Sequence, residues 1–99
     1  MQSYYPEQFE REMSCTEAEW LHWLGAALGA CPYVLGDGFV RAQFVPGSLN
    51  LRWCVVAPLR VALIRMPRLR VRFEFDGLDE LRRQQFMRRF DLYMLRGGG

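Results

Sequence analysis

Ninety-nine residues, 51% hydrophobic and 14% aromatic, suffice for one domain with a real core, and they exclude a second domain of ordinary size or a disordered chain. The net charge of +2 is unevenly spread: residues 1–30 hold Arg11 against five Glu, and the rest holds twelve Arg against six acids. No run reaches the roughly 20 apolar residues of a membrane helix, and the best candidate, Trp53 to Ile64, is interrupted by Pro58 and Arg60.

In chain order, Pro6 suits the first turn of a short helix over Pro6 to Met13, on which Tyr5, Phe9 and Met13 recur every fourth residue. Thr16-Glu17-Ala18-Glu19 is a capping box that starts a second helix. Trp20, Leu21, Leu24, Ala27 and Leu28 follow at helical spacing, and Gly29 and Pro32 end it.

From Tyr33 the period changes to two. Gly36-Asp37-Gly38 turns between short strands, Phe39 to Val45 forms the second of them, and Pro46-Gly47 suits the centre of a type II turn. Leu49, Leu51, Trp53 and Val55 alternate with polar residues as a half-buried strand. Pro58 requires a break, bulge or edge, Val61 to Met66 reads as a further strand, and Pro67 interrupts again. Leu69, Val71, Phe73 and Phe75 then alternate with Arg68, Arg70, Arg72 and Glu74. Asp76-Gly77 leads into a final helix from Leu78 to Leu95, followed by Arg96 and three glycines. The expected fold is α+β: an antiparallel meander of four to five strands, with N-terminal helices and a long C-terminal helix packed on one face. The expected organisation is a single domain over 1–99, with 97–99 a flexible glycine tail.

Four features bear on function. Alternation places Arg68, Arg70 and Arg72 on one face, with Arg52 on the matching face of an earlier strand, a candidate site for an anion or nucleic acid. The plainer reading is an ordinary solvated sheet face, partly neutralised by Glu74 and by the acidic N-terminal segment. The aromatics of the Arg strand fall on its opposite face, which counts against stacked nucleobases. On the last helix, apolar residues span about two-thirds of the circumference, wider than one sheet contact covers. A second contact is therefore expected, either another helix of the chain or a second subunit, with Phe86, Met87, Phe90 and Met94 as the candidate partner-binding residues.

His22, the lone histidine, shares a helix face with Ala18, Gly25, Ala26 and Gly29, a pattern that suits close packing better than catalysis. Cys15, Cys31 and Cys54 are odd in number and lack metal-ligand spacing, so reduced thiols and no metal or cofactor are expected. All thirteen basic residues are Arg, as a GC-rich genome would produce, so Arg alone is weak evidence for Arg-specific chemistry. The ending Leu95-Arg96-Gly97-Gly98-Gly99 resembles the Arg-Gly-Gly ends of ubiquitin-like modifiers and sulfur carriers. That resemblance implies a terminal glycine activated by adenylation and a strand before the tail, whereas the residues here read as a helix.

The sequence thus favours a small binding or scaffolding protein that forms a homodimer or docks on a protein partner through its last helix, with no membrane role. A nucleic-acid or anion-binding module is the alternative, and a small enzyme using His22 or a Cys the third. The N-terminus lacks the basic start and apolar run of a secretory signal, so a cytoplasmic location is expected.

Overall fold

In the computed structural model, which describes residues 4–96, the chain runs β1 (Gln8–Met13), α1 (Glu17–Leu28), β2 (Tyr33–Gly36), β3 (Phe39–Gln43), β4 (Ser48–Val61), β5 (Ile64–Asp76) and α2 (Glu80–Arg96). The strands form one antiparallel sheet in the order β1-β5-β4-β3-β2. Strands β2 to β5 are the expected meander, and β1 adds to the far side of β5.

The first segment is a strand, not the helix expected over Pro6 to Met13. Spacing of four is compatible with both structures, because residues four apart also share a face of a strand. The residue that obscures period two is Arg11, which stands between Phe9 and Met13 on the core-side face. Arg11 is admitted there by a salt bridge to Asp91 on α2 and by the face of Phe73, 5.5 Å from the guanidinium carbon. The opposite face of β1 carries Gln8, Glu10 and Glu12, set against Glu74, Arg72 and Arg70 of β5.

Helix α1 starts as its capping box requires. The Glu19 amide donates to Thr16 Oγ1 (3.1 Å), and the Thr16 amide donates to Glu19 Oε1 (2.9 Å). Helix α2 begins two residues later than expected, after Asp79, whose Oδ1 accepts from the Arg82 amide (2.9 Å). That bond holds the Asp79 carboxyl below its ordinary value, with Arg82 nearby adding to the effect. Both helices cover one sheet face. Leu49, Leu51, Val71, Phe73 and Phe75 point up from β4 and β5 into a layer of Trp20, Leu24, Leu28, Phe86 and Phe90. The rings pack edge to face, Phe73 on Phe90 at 5.4 Å and Trp20 on Phe90 at 5.8 Å. Arg83 is buried beside them, donating to the carbonyls of Tyr5 (2.9 Å) and Leu78 (2.6 Å).

The main departure lies between residues 56 and 68. The span Val61 to Met66 is not a strand of its own. It contains the turn, at Ala62 and Leu63, of one long hairpin made by β4 and β5, and Ala62 takes a positive φ of 54°. Pro58 lies at a bulge where the register shifts between Val56 and Leu59, and Pro67 lies across from it, where the ladder pairs no residue. Both prolines thus occupy positions that need no amide donor. Strand β3 ends short of the expected Val45, and the loop after it has a cis Val45–Pro46 peptide in place of the expected type II turn.

Candidate binding surfaces

The four arginines singled out above do come together. Arg52 pairs directly with Arg72 across β4 and β5, while Arg70 and Arg68 face Cys54 and Val56 along the same ladder. All lie on the sheet face without helices. Strand β1 brings its acids to three of them: Arg68 meets Glu12 at 2.8 Å, Arg70 meets Glu12 at 3.5 Å, and Arg72 meets Glu74 at 2.9 Å and Glu10 at 3.6 Å. The hydrogen bond to Glu74 is the main reason the Arg72 pKa lies above its ordinary value. Of these four, Arg52 alone makes no side-chain hydrogen bond or ion pair among the described residues. The face is therefore largely neutralised within the chain, by β1 more than by Glu74 alone.

Phe86, Met87, Phe90 and Met94 do not form an exposed docking face. All four are buried in the chain's own core, with Met87 and Phe90 at 0% exposure. The wide apolar arc of α2 is taken up by the sheet on one side and by α1 on the other, so the second contact is a helix of the same chain. Leu81 and Leu92 are the large apolar side chains left exposed on α2 among the described residues.

His22 is exposed on α1, as are Ala18 and Ala26, so among the described residues no close-packed segment covers these positions. A Cβ on Gly25 would meet the Tyr33 hydroxyl at an ordinary 3.8 Å. Cys15 is buried, and burial, then Glu19, raises its pKa, which keeps the thiol protonated and unreactive near neutral pH. Among the described residues no group of three His, Cys, Asp or Glu is placed to hold a metal. The glycine tail lies outside the described residues, and the element leading to it is α2, a helix.

Two surfaces have no counterpart among the expectations from sequence. The first is the outer part of the β4–β5 hairpin, a two-stranded ribbon with neither β1 nor β3 beside it. Its amphipathic sense is reversed. Along β5 the helix-free face carries Glu74, Arg72, Arg70 and Arg68, then Met66 and Ile64, and the helix-side face carries Phe75, Phe73, Val71 and Leu69, then Pro67 and Arg65. Strand β4 follows suit, since Leu59 pairs with Met66, Val61 with Ile64, and Arg60 with Arg65. Leu59, Val61, Ile64 and Met66 thus form an apolar patch on the helix-free face, with Ile64 62% exposed and Leu63 at the tip fully exposed. Arg60 and Arg65 occupy the other face without an ion partner among the described residues.

The second surface is a cleft of about 400 Å³ at the root of the ribbon, between it and the start of α1. Its walls are Val55, Pro58, Pro67 and Leu69, with Cys15 at the α1 end and Arg65 and Arg68 at the rim. Comparison with known proteins adds no identity: no protein-family model matches the chain, and no curated protein matches it significantly. No helix among the described residues is long and apolar enough to cross a membrane.

Proposed function

We propose that the chain is a self-associating binding module whose contact is the outer β4–β5 ribbon rather than the last helix. The observation that carries this reading is the reversed amphipathic sense of the ribbon. Its apolar face looks away from the chain's own helices, and no element among the described residues covers it. A two-stranded ribbon alone is marginal in water, and exposed contiguous apolar patches mark interaction sites.

A second copy fits that face by charge. A two-fold axis sets like on like, which an uncharged patch tolerates and a cationic one does not. The contact positions Leu59, Val61, Ile64 and Met66 carry no charge, the adjoining Arg68 and Arg70 are answered by Glu12, and the uncompensated Arg60 and Arg65 lie on the far face. Amide hydrogen exchange as a function of protein concentration tests the reading. Amides of residues 59–66 should gain protection as concentration rises, while those of β1 stay constant. Protection in the ribbon that ignores concentration counts against self-association.

One observation favours a second reading, nucleic-acid binding. Arg60 and Arg65 sit opposite each other on a free two-stranded ribbon, an element that the DNA major groove admits. Residues 55–68 contain three Arg and no acid. Under this reading, duplex DNA binds with a steep salt dependence that an Arg60→Gln/Arg65→Gln variant loses.

A further inference from the structure

We propose that the cleft at the root of the ribbon binds a small amphipathic carboxylate, its apolar chain against Val55, Pro58, Pro67 and Leu69 and its carboxylate on Arg65. The cleft lies at the low end of the roughly 300–1,000 Å³ usual for ligand pockets, and its walls are mainly apolar with few polar groups, as such pockets are. An apolar cleft alone would leave the ligand's polar end undefined. The rim defines it.

Of the charged side chains at this cleft, Arg68 is already held by Glu12 at 2.8 Å and by the Ala57 carbonyl at 3.1 Å. Glu17, on the α1 side, accepts from the Trp53 indole at 2.8 Å. Arg65 has no hydrogen bond or ion pair among the described residues. Its guanidinium is a planar fork suited to a carboxylate, which it can hold through two parallel bonds.

The same surroundings select against larger charge. A phosphate would seek the amides that open α1, but the capping box of Thr16 and Glu19 occupies that end, and Glu17 and Glu19 in the first turn repel a dianion about twice as strongly as a monoanion. A single carboxylate on a chain of several methylenes meets an apolar wall and Arg65, the one lining cation without a partner among the described residues, while Glu17 is held to the Trp53 indole on the α1 side. The buried, protonated Cys15 thiol contributes to that wall as a small apolar group. Val55, Pro67 and Leu69 lie on the helix side of the hairpin, and none of Leu59, Val61, Ile64 and Met66 lines the cleft, so it is separate from the apolar patch proposed for self-association.

The test is a titration of the full chain with octanoate, 1-octanol and acetate, followed by amide NMR shifts. Octanoate should move the amides of Cys15, Val55 and Leu69, octanol should move the same set about tenfold more weakly, and acetate should move none, since each end of the ligand adds its own share. Arg65→Gln, at an exposed residue without partners, should fold normally and bring octanoate down to the octanol level, while Val55→Trp should fill the cleft and abolish both. A Val61→Glu/Ile64→Glu variant should keep octanoate binding, which separates this site from the ribbon's other face. Equal binding of octanoate and octanol by the wild type, shifts scattered away from the cleft, or full octanoate preference in Arg65→Gln would each overturn the proposal.

Discussion

The two halves of the β4–β5 hairpin are built from similar residues and behave in opposite ways. In the base, from Ser48 to Val55 and from Leu69 to Asp76, the apolar side chains of the alternating core positions face the helices, and Arg70 and Arg72 face acids from β1. Beyond the bulge the same ladder continues, but apolar residues move to the helix-free face and arginines to the other. The base is therefore stabilised by the chain itself, whereas the outer ribbon presents a surface that none of the described residues covers. On β4 the inserted residue at the bulge changes the phase, and on β5 the alternation is unbroken and the residues themselves change, Met66 and Ile64 following Arg68 on one face.

The sharpest way to test that division is to cut side chains on both sides of it. Phe73→Ala, in the base at 0% exposure and in contact with Phe90, should cost about 3–5 kcal/mol in chemical denaturation. Leu63→Ala at the tip should stay within about 0.5 kcal/mol of wild type. Comparable losses at both positions would break the division.

Next in size is Gly47→Ala, at the end of the base. A Cβ there would lie 2.0 Å from the Asp76 carbonyl oxygen, a backbone atom that cannot turn aside. A loss of about 1–3 kcal/mol is expected in the same denaturation experiment. Gly25→Ala on α1 has the opposite sign. Its Cβ meets only an ordinary contact, so the better helix propensity should stabilise by about 0.5–1 kcal/mol, read as a rise in Tm.

The smallest effect belongs to the charged face of the base. Glu12→Gln removes the partner of Arg68 and Arg70, yet these are exposed pairs, and such pairs are worth little. Stability should fall by less than about 1 kcal/mol at low salt, with the difference gone at high salt. A loss that persisted in salt would mean that the acids of β1 do more than neutralise the arginines.

Much of the base, and of the helix packed on it, is legible in the amino-acid sequence alone. The capping box at Thr16, the alternation of Leu69 to Phe75 and the apolar stripe of α1 each follow a single local rule, and each is present in the fold. What the sequence hides depends on contacts distant along the chain. Arg11 looks like a break in a strand until Asp91, eighty positions away, is placed beside it. Arg83 looks like a surface charge until the Tyr5 and Leu78 carbonyls are seen to receive it. The breadth of the α2 stripe does signal a second contact, but a helix wheel cannot distinguish α1 from another subunit. The ribbon is hidden because its turn, Val61-Ala62-Leu63-Ile64, contains no glycine, asparagine or proline, and because Pro67 reads as an interruption between two strands. Pro58 allows a bulge among other readings, and only the pairing with β5 selects it.

Contact of the outer ribbon with its own copy is tested most directly by sedimentation equilibrium of wild type beside Val61→Glu/Ile64→Glu. Both positions are exposed, so the double variant should keep the wild-type fold by circular dichroism. Wild type should sediment at twice the 11.6 kDa of one chain at high concentration, and the variant should stay at the single-chain mass throughout. A wild-type protein that remains a monomer across the series, or a variant that dimerises as well as wild type, would contradict the claim.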